Sequence, residues 1–175
     1  MNAKPMCFMV SAMLLALLSC GNPPVELGLQ ATEVEQTTES SPAHDEFTLV
    51  VIHPSQGPLQ ELLSAHAAKA ADANRRPIVE FYADWCPPCR ALDASLGDER
   101  MIEALSGTYI VRLDLDEWKN NLTGTGFKVF GIPAFFELDS EGHPTGRTIT
   151  GAAWGEDIPE NMAPPLRDFF QANAE

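Results

Sequence analysis

The sequence predicts an α/β domain with a central mixed β-sheet flanked by helices on both faces. Three observations predict it. Short runs of β-branched and aromatic residues alternate with segments of helical periodicity, in the order βαβαβαββα. A C-x-x-C pair, Cys86 and Cys89, stands where one such strand meets one such helix. The last two strands are joined by the turn Asp139-Ser140-Glu141-Gly142, which folds them into a hairpin.

Each element follows from its residues. Phe47 to Ile52 (F-T-L-V-V-I) is a strand. Leu59, Leu62, Leu63, His66, Ala67 and Ala70 recur at helical spacing, so Pro58 to Asn74 is an amphipathic helix with His66 on its apolar stripe as a core residue. Pro77 to Ala83 (P-I-V-E-F-Y-A) is a buried strand leading through Asp84-Trp85 into Cys86-Pro87-Pro88-Cys89, and Arg90 to Leu96 continues as helix. A short helix follows Asp98, and Tyr109 to Leu115 is a strand. Lys119 to Phe130 contains a helical stretch loosened by Gly124 and Gly126. Ala134 to Leu138 and Arg147 to Thr150 are the hairpin strands. Pro159 to Ala172 is a closing helix, interrupted early by Pro164-Pro165. The sequence leaves Trp118 and Trp154 open between core and surface.

The segment before this domain has a different character. Lys4 precedes an apolar run from Met6 to Leu18, too short to span a bilayer and suited to the core of a signal peptide. Leu17-Leu18-Ser19-Cys20 then resembles a bacterial lipobox. The resemblance implies cleavage of residues 1–19, lipidation of Cys20 and stable anchoring by several acyl chains. Residues 20–46 are rich in Pro, Ser, Thr, Glu and Gln, and are expected to form a flexible linker to a domain at 47–175. The net charge is −14, from 11 basic and 25 acidic residues, with no basic cluster to follow a phosphate backbone; no nucleic-acid partner is expected.

A C-x-x-C at a strand-to-helix junction suits disulfide exchange. The helix N-terminus favours a thiolate on the first cysteine, which attacks a disulfide; the second cysteine, one turn later, resolves the mixed disulfide. Two prolines between them stiffen the loop and remove two donors to the Cys86 sulfur. A zinc half-site is the competing chemistry, but no second C-x-x-C or histidine pair accompanies this one, so no metal is expected.

Val79-Glu80-Phe81-Tyr82-Ala83-Asp84-Trp85-Cys86-Pro87-Pro88-Cys89-Arg90 resembles the strand-to-active-site segment of the thioredoxin superfamily, and Gly131-Ile132-Pro133 resembles its cis-proline loop. The wording around the cysteines is also similar to the C-terminal domain of the membrane reductant conductor and to the tethered reductases of cytochrome c maturation. The resemblance implies a thioredoxin fold. It makes Cys86 the partly exposed nucleophile, Cys89 the buried resolving thiol, and Glu80 a buried acid that takes the proton of Cys89. Trp85, Ile132, Pro133 and Gly151 become substrate contacts. The implied function is thiol–disulfide oxidoreduction on extracytoplasmic proteins by a monomer; the lipobox-like segment, with no aspartate after Cys20, implies that it is held at a membrane and faces the periplasm, with the outer membrane favoured. A membrane or periplasmic donor would keep it reduced. No cofactor beyond the Cys86–Cys89 dithiol/disulfide is implied. A disulfide oxidase or isomerase, and a copper metallochaperone, stand as alternatives.

Overall fold

The computed structural model describes residues 47–172. The expected signal peptide (1–19), the lipidation site Cys20, the linker (20–46) and the last three residues lie outside the described residues.

Five strands form one sheet: β1 (Thr48–Val51), β2 (Arg76–Tyr82), β3 (Thr108–Asp114), β4 (Ala134–Leu138) and β5 (Pro144–Thr150), in the order β1-β3-β2-β4-β5. β1 and β2 run parallel to β3, β4 is antiparallel to β2, and β5 is antiparallel to β4. The sheet is therefore mixed, as expected. β2, paired on both sides, is a near-continuous apolar run, because parallel strands covered on both faces have no solvated side.

Alternation along the strands divides the core in two. Val79, Phe81, Val111 and Leu113 face one side with Leu59, Leu63 and Ala70 of helix α1 (Leu59–Asp72) and Trp118 of the short α4 (Leu115–Trp118). Ile78, Ile110 and Phe135 face the other. There they meet Leu92 of α2 (Pro87–Ser95), Met101 and Leu105 of α3 (Glu99–Leu105), and Met162, Leu166 and Phe170 of α5 (Pro159–Gln171). Each fully buried side chain of this kind contributes about 1.5–3 kcal/mol. Phe81, Phe127 and Phe136 close an edge-to-face triangle with ring centroids 5.2–5.6 Å apart. That triangle anchors the loop carrying the Gly-Ile-Pro segment to the sheet. The two open tryptophans both resolve to the core, Trp118 at 0% and Trp154 at 6% exposure. Each indole N–H is satisfied, by the Ile52 carbonyl at 3.0 Å and by Asp157 Oδ1 at 3.0 Å. His66 is buried as expected, with Nδ1 2.9 Å from the Tyr109 hydroxyl. Burial, and next Lys69, lowers its pKa.

Three expectations need correction. The helical stretch of Lys119–Phe130 is instead α4 plus a single 3-10 turn, Lys119–Asn121. Asp114, whose carboxylate accepts from Asp116 N at 2.8 Å, caps a helix that begins at Leu115, four residues before Lys119. Gly124 and Gly126, at φ +81° and +88°, end it outright. The last helix is not interrupted: Pro164 and Pro165 lie inside α5. The two missing N–H donors cost the helix, but Met162, Ala163, Leu166 and Phe170 are buried on one of its faces, and that burial holds it together. β5 begins at Pro144, three residues before the expected Arg147, an edge position where proline is tolerated.

Candidate active site

β2 ends at Tyr82, and a tight turn brings Cys86 N to the Ala83 carbonyl at 3.1 Å. Cys86 then occupies the N-cap of α2 with extended backbone (φ −81°, ψ 111°). Pro87 and Pro88 fill the first two helical positions, where an N–H would have no intrahelical acceptor. The first amide hydrogen of α2 therefore belongs to Cys89, and it points at Cys86 Sγ, 3.2 Å away. The prolines leave that donor as the one fixed dipole of the helix aimed at the sulfur, which favours negative charge there.

Cys86 and Cys89 form a disulfide with Cα atoms 5.3 Å apart, within the usual range for such bonds. Both are buried, Cys86 at 2% and Cys89 at 1% exposure. Partial exposure of Cys86 was the expectation; in the oxidised state Tyr82, Ala83 and Ile132 pack around the pair and close it off. The Ile132 carbonyl oxygen lies 3.6 Å from Cys86 Sγ. Asymmetry between the sulfurs survives in the approach. A groove of about 390 Å³ is lined by Trp85, Cys86, Pro87, Pro88, Leu115, Val129, Phe130, Gly131 and Ile132, and Cys89 is not among them.

The Ile132–Pro133 bond is cis. Its loop is tied to β5 by the Gly151 N–H, which donates to the Pro133 carbonyl at 3.0 Å. A Cβ at Gly151 would lie 3.2 Å from Pro133 Cδ, so a small residue is needed for this approach. Trp85 is 60% exposed, and its indole N–H donates to Asp116 Oδ2 at 2.7 Å, which fixes the ring beside the groove. That bond, and next Lys119, lowers the pKa of Asp116.

Glu80 is 1% exposed, in the middle of β2. In the parallel register it stands opposite Arg112 of β3. The Arg112 Nη2 donates to Glu80 Oε1 at 3.2 Å, and Nε lies 2.8 Å from Oε2 as an ion pair. Desolvation raises the Glu80 pKa to about 7, with Arg112 opposing. The expected site residues thus separate into two layers. Trp85, Cys86 and Ile132 line the groove, and Cys89, Pro133 and Gly151 do not. Glu80 lies in the sheet. Cys20 lies outside the described residues.

Three residues were not anticipated. Phe130 is 93% exposed beside the disulfide; it follows Val129 in what read as a loosened helix, so nothing in the sequence marked it as a surface group. Arg112 and Asp93 join Glu80, and only the cross-strand register could have revealed that. Among the described residues Asp139, Glu141 and His143 also group within 4.8 Å, all exposed, at the end of β4 away from Pro133. Asp139 Oδ1 there accepts the N–H groups of Glu141 and His143, both at 2.9 Å, which is the ordinary bonding of a tight turn.

Comparison with known proteins bears directly on this arrangement. The thiol:disulfide interchange protein TxlA of Synechococcus elongatus is 34% identical over 117 residues, which is 59% of this chain and 57% of TxlA. The thiol:disulfide interchange protein DsbD of Campylobacter jejuni is 33% identical over 97 residues, 52% of this chain but 16% of DsbD. The chain thus spans about half of TxlA and a smaller part of DsbD. A solved disulphide isomerase from Xylella fastidiosa Temecula1 shares the fold, with a TM-score of 0.50 at 23% identity over 65% of this chain and 89% of that one. No helix among the described residues is long and apolar enough to cross a membrane. The thioredoxin family profile matches residues 60–163, a span that holds Glu80, the cysteine pair, the cis-proline and Gly151 together, and by it this chain belongs to the thioredoxin family.

Proposed function

We propose that the chain is a thiol–disulfide oxidoreductase that reduces or exchanges disulfides of extracytoplasmic proteins through Cys86 and Cys89. The observation that carries the reading is the Cys86–Cys89 disulfide at the N-terminus of α2, facing the Ile132 carbonyl of a cis-proline loop. The names of the interchange relatives support it.

In the reductive direction Cys86 thiolate attacks a partner disulfide. One partner sulfur leaves and takes up a proton, and the other stays bonded to Cys86. The backbone at Ile132 and the ring of Trp85 hold the partner segment in the groove. Cys89 then gives its proton to the Glu80 carboxylate and attacks Cys86 Sγ. The second partner sulfur leaves, so the partner gains two electrons and the chain becomes the disulfide. A dithiol donor reverses that last state by the same exchange.

Turnover of insulin disulfides with dithiothreitol as donor, together with the reduction potential of the pair, tests this. A potential near −270 mV is expected of a reductant. A value near −120 mV would make the chain an oxidase instead. Stoichiometric Cu(I) binding with no thiol exchange would make it a metallochaperone and end the reading.

The placement of that activity rests on residues 1–46. Cleavage before Cys20 and acylation of its thiol would tether the domain to a membrane by a linker of about 26 residues, with the outer membrane favoured because no aspartate follows Cys20. Replacing Cys20 with Ala should move the protein to the soluble fraction or leave it uncleaved. Wild-type protein that is already soluble, with no acyl mass on its N-terminus, would refute the anchor and leave the chemistry untouched.

A further inference from the structure

Glu80 belongs to a group of three charges. The guanidinium of Arg112 is gripped between two carboxylates: Nη2 lies 2.8 Å from Asp93 Oδ1, while Nη2 and Nε reach Glu80 at 3.2 and 2.8 Å. Its flat face lies over the Tyr82 ring, 4.0 Å from the centroid, so it has little freedom to turn away. Asp93 stands four residues after Cys89 on α2, and so on the same side of that helix. Its side chain is 39% exposed, against 1% for Glu80.

We infer that Asp93 is a positioning residue that sets the proton affinity of Glu80 by competing with it for the charge of Arg112. The inference rests on the reading of Glu80 as acceptor of the Cys89 proton. With all three groups ionised the cluster carries one net negative charge in a mostly buried place. One proton makes it neutral, and burial favours the neutral cluster. The proton belongs on Glu80, the carboxylate that burial takes out of water. Arg112 alone would hold Glu80 ionised and therefore a poor acceptor. By sharing Nη2 of the guanidinium with Glu80, Asp93 returns proton affinity to Glu80. The other groups against Glu80 do not compete. Its partner in β4 is Phe135, and the Tyr82 phenol, raised by burial, is neutral at physiological pH.

The reduced protein is mixed with a nitrothiobenzoate disulfide at a series of pH values. The first coloured thiolate released reports mixed-disulfide formation on Cys86, and the second reports resolution by Cys89. Resolution in the wild type should show an inflection near neutral pH that Glu80→Gln removes. Asp93→Asn should move that inflection down, on the order of one pH unit, because Arg112 then acts on Glu80 alone. Arg112→Met should move it up by a similar amount, and Arg112→Lys should restore most of the wild-type position. Asp93 is partly exposed and leaves no buried gap, so Asp93→Asn decides the matter even if Arg112→Met folds poorly. An inflection that survives Glu80→Gln would sink the reading of Glu80 itself. An inflection that Glu80→Gln removes but Asp93→Asn leaves in place, or moves upward, would overturn this inference alone.

Discussion

Replacing Cys89 with Ala should stop turnover while leaving the first chemical step intact. Cys86 would still attack a partner disulfide, since the groove opens on Cys86 and Cys89 does not line it. The product would then be stranded, because the next nucleophile would have to come from solution. A well-placed intramolecular group acts at an effective concentration far above that of any added thiol, so turnover should fall on the order of a thousandfold or more. Partners should accumulate as covalent adducts visible by mass spectrometry. Replacing Cys86 with Ala should abolish both turnover and adducts. In reduced wild-type protein, iodoacetamide should label Cys86 before Cys89, since reduction frees the sulfur that faces the groove and leaves its neighbour behind it. Adducts that form through Cys89 in the Cys86→Ala protein would reverse the two assignments.

The positions behind that experiment were largely legible in the sequence, for local reasons. A C-x-x-C after an apolar strand fixes where the helix must begin, and the two prolines between the cysteines confirm it, because they fit only the first turn. Residues 131–133 were read as a cis-proline loop by resemblance, and the Ile132–Pro133 bond is cis. Glu80 was legible as a buried acid by the same resemblance, and the apolar Ile78, Val79 and Phe81 around it agree. What stayed hidden depends on alignment between distant segments. Arg112 is 32 residues from Glu80, and only the parallel pairing of β2 with β3 brings them face to face. Asp93 looked like any exposed helical acid. The exposure of Cys86 was misjudged because the sequence speaks of the nucleophile and the structure is of the disulfide, around which Ile132 and Tyr82 close. The helix expected at Lys119–Phe130 failed for a different reason. Polar residues and glycines there carry no period strong enough to outweigh the cap at Asp114, and the segment is held from outside, by Phe127 in the aromatic triangle and by Pro133 against Gly151.

The hairpin after that loop leads to the largest expected loss of stability. Gly142, in the turn between β4 and β5, sits at φ +84°. A Cβ there would fall 2.6 Å from Ser64 N and 2.7 Å from the Leu63 carbonyl carbon, both backbone atoms of α1. Neither can step aside as a side-chain tip could, since Leu63 is fully buried in the core beneath. Gly142→Ala therefore incurs two costs: about 1–2 kcal/mol for a left-handed alanine, and the displacement of the turn from α1. The total should reach about 3–5 kcal/mol, a large share of what a domain of this size has. Gly146 supplies the control. It lies in the same hairpin at φ +94°, but a Cβ there meets nothing within 4 Å. Gly146→Ala should lose only the conformational part. Urea unfolding of the oxidised proteins separates the two: equal midpoints for both variants would mean that the turn lifts off α1 freely. A clearly lower midpoint for Gly142→Ala would mean that this close approach is part of what holds β4, and the Pro133 loop at its other end, in place.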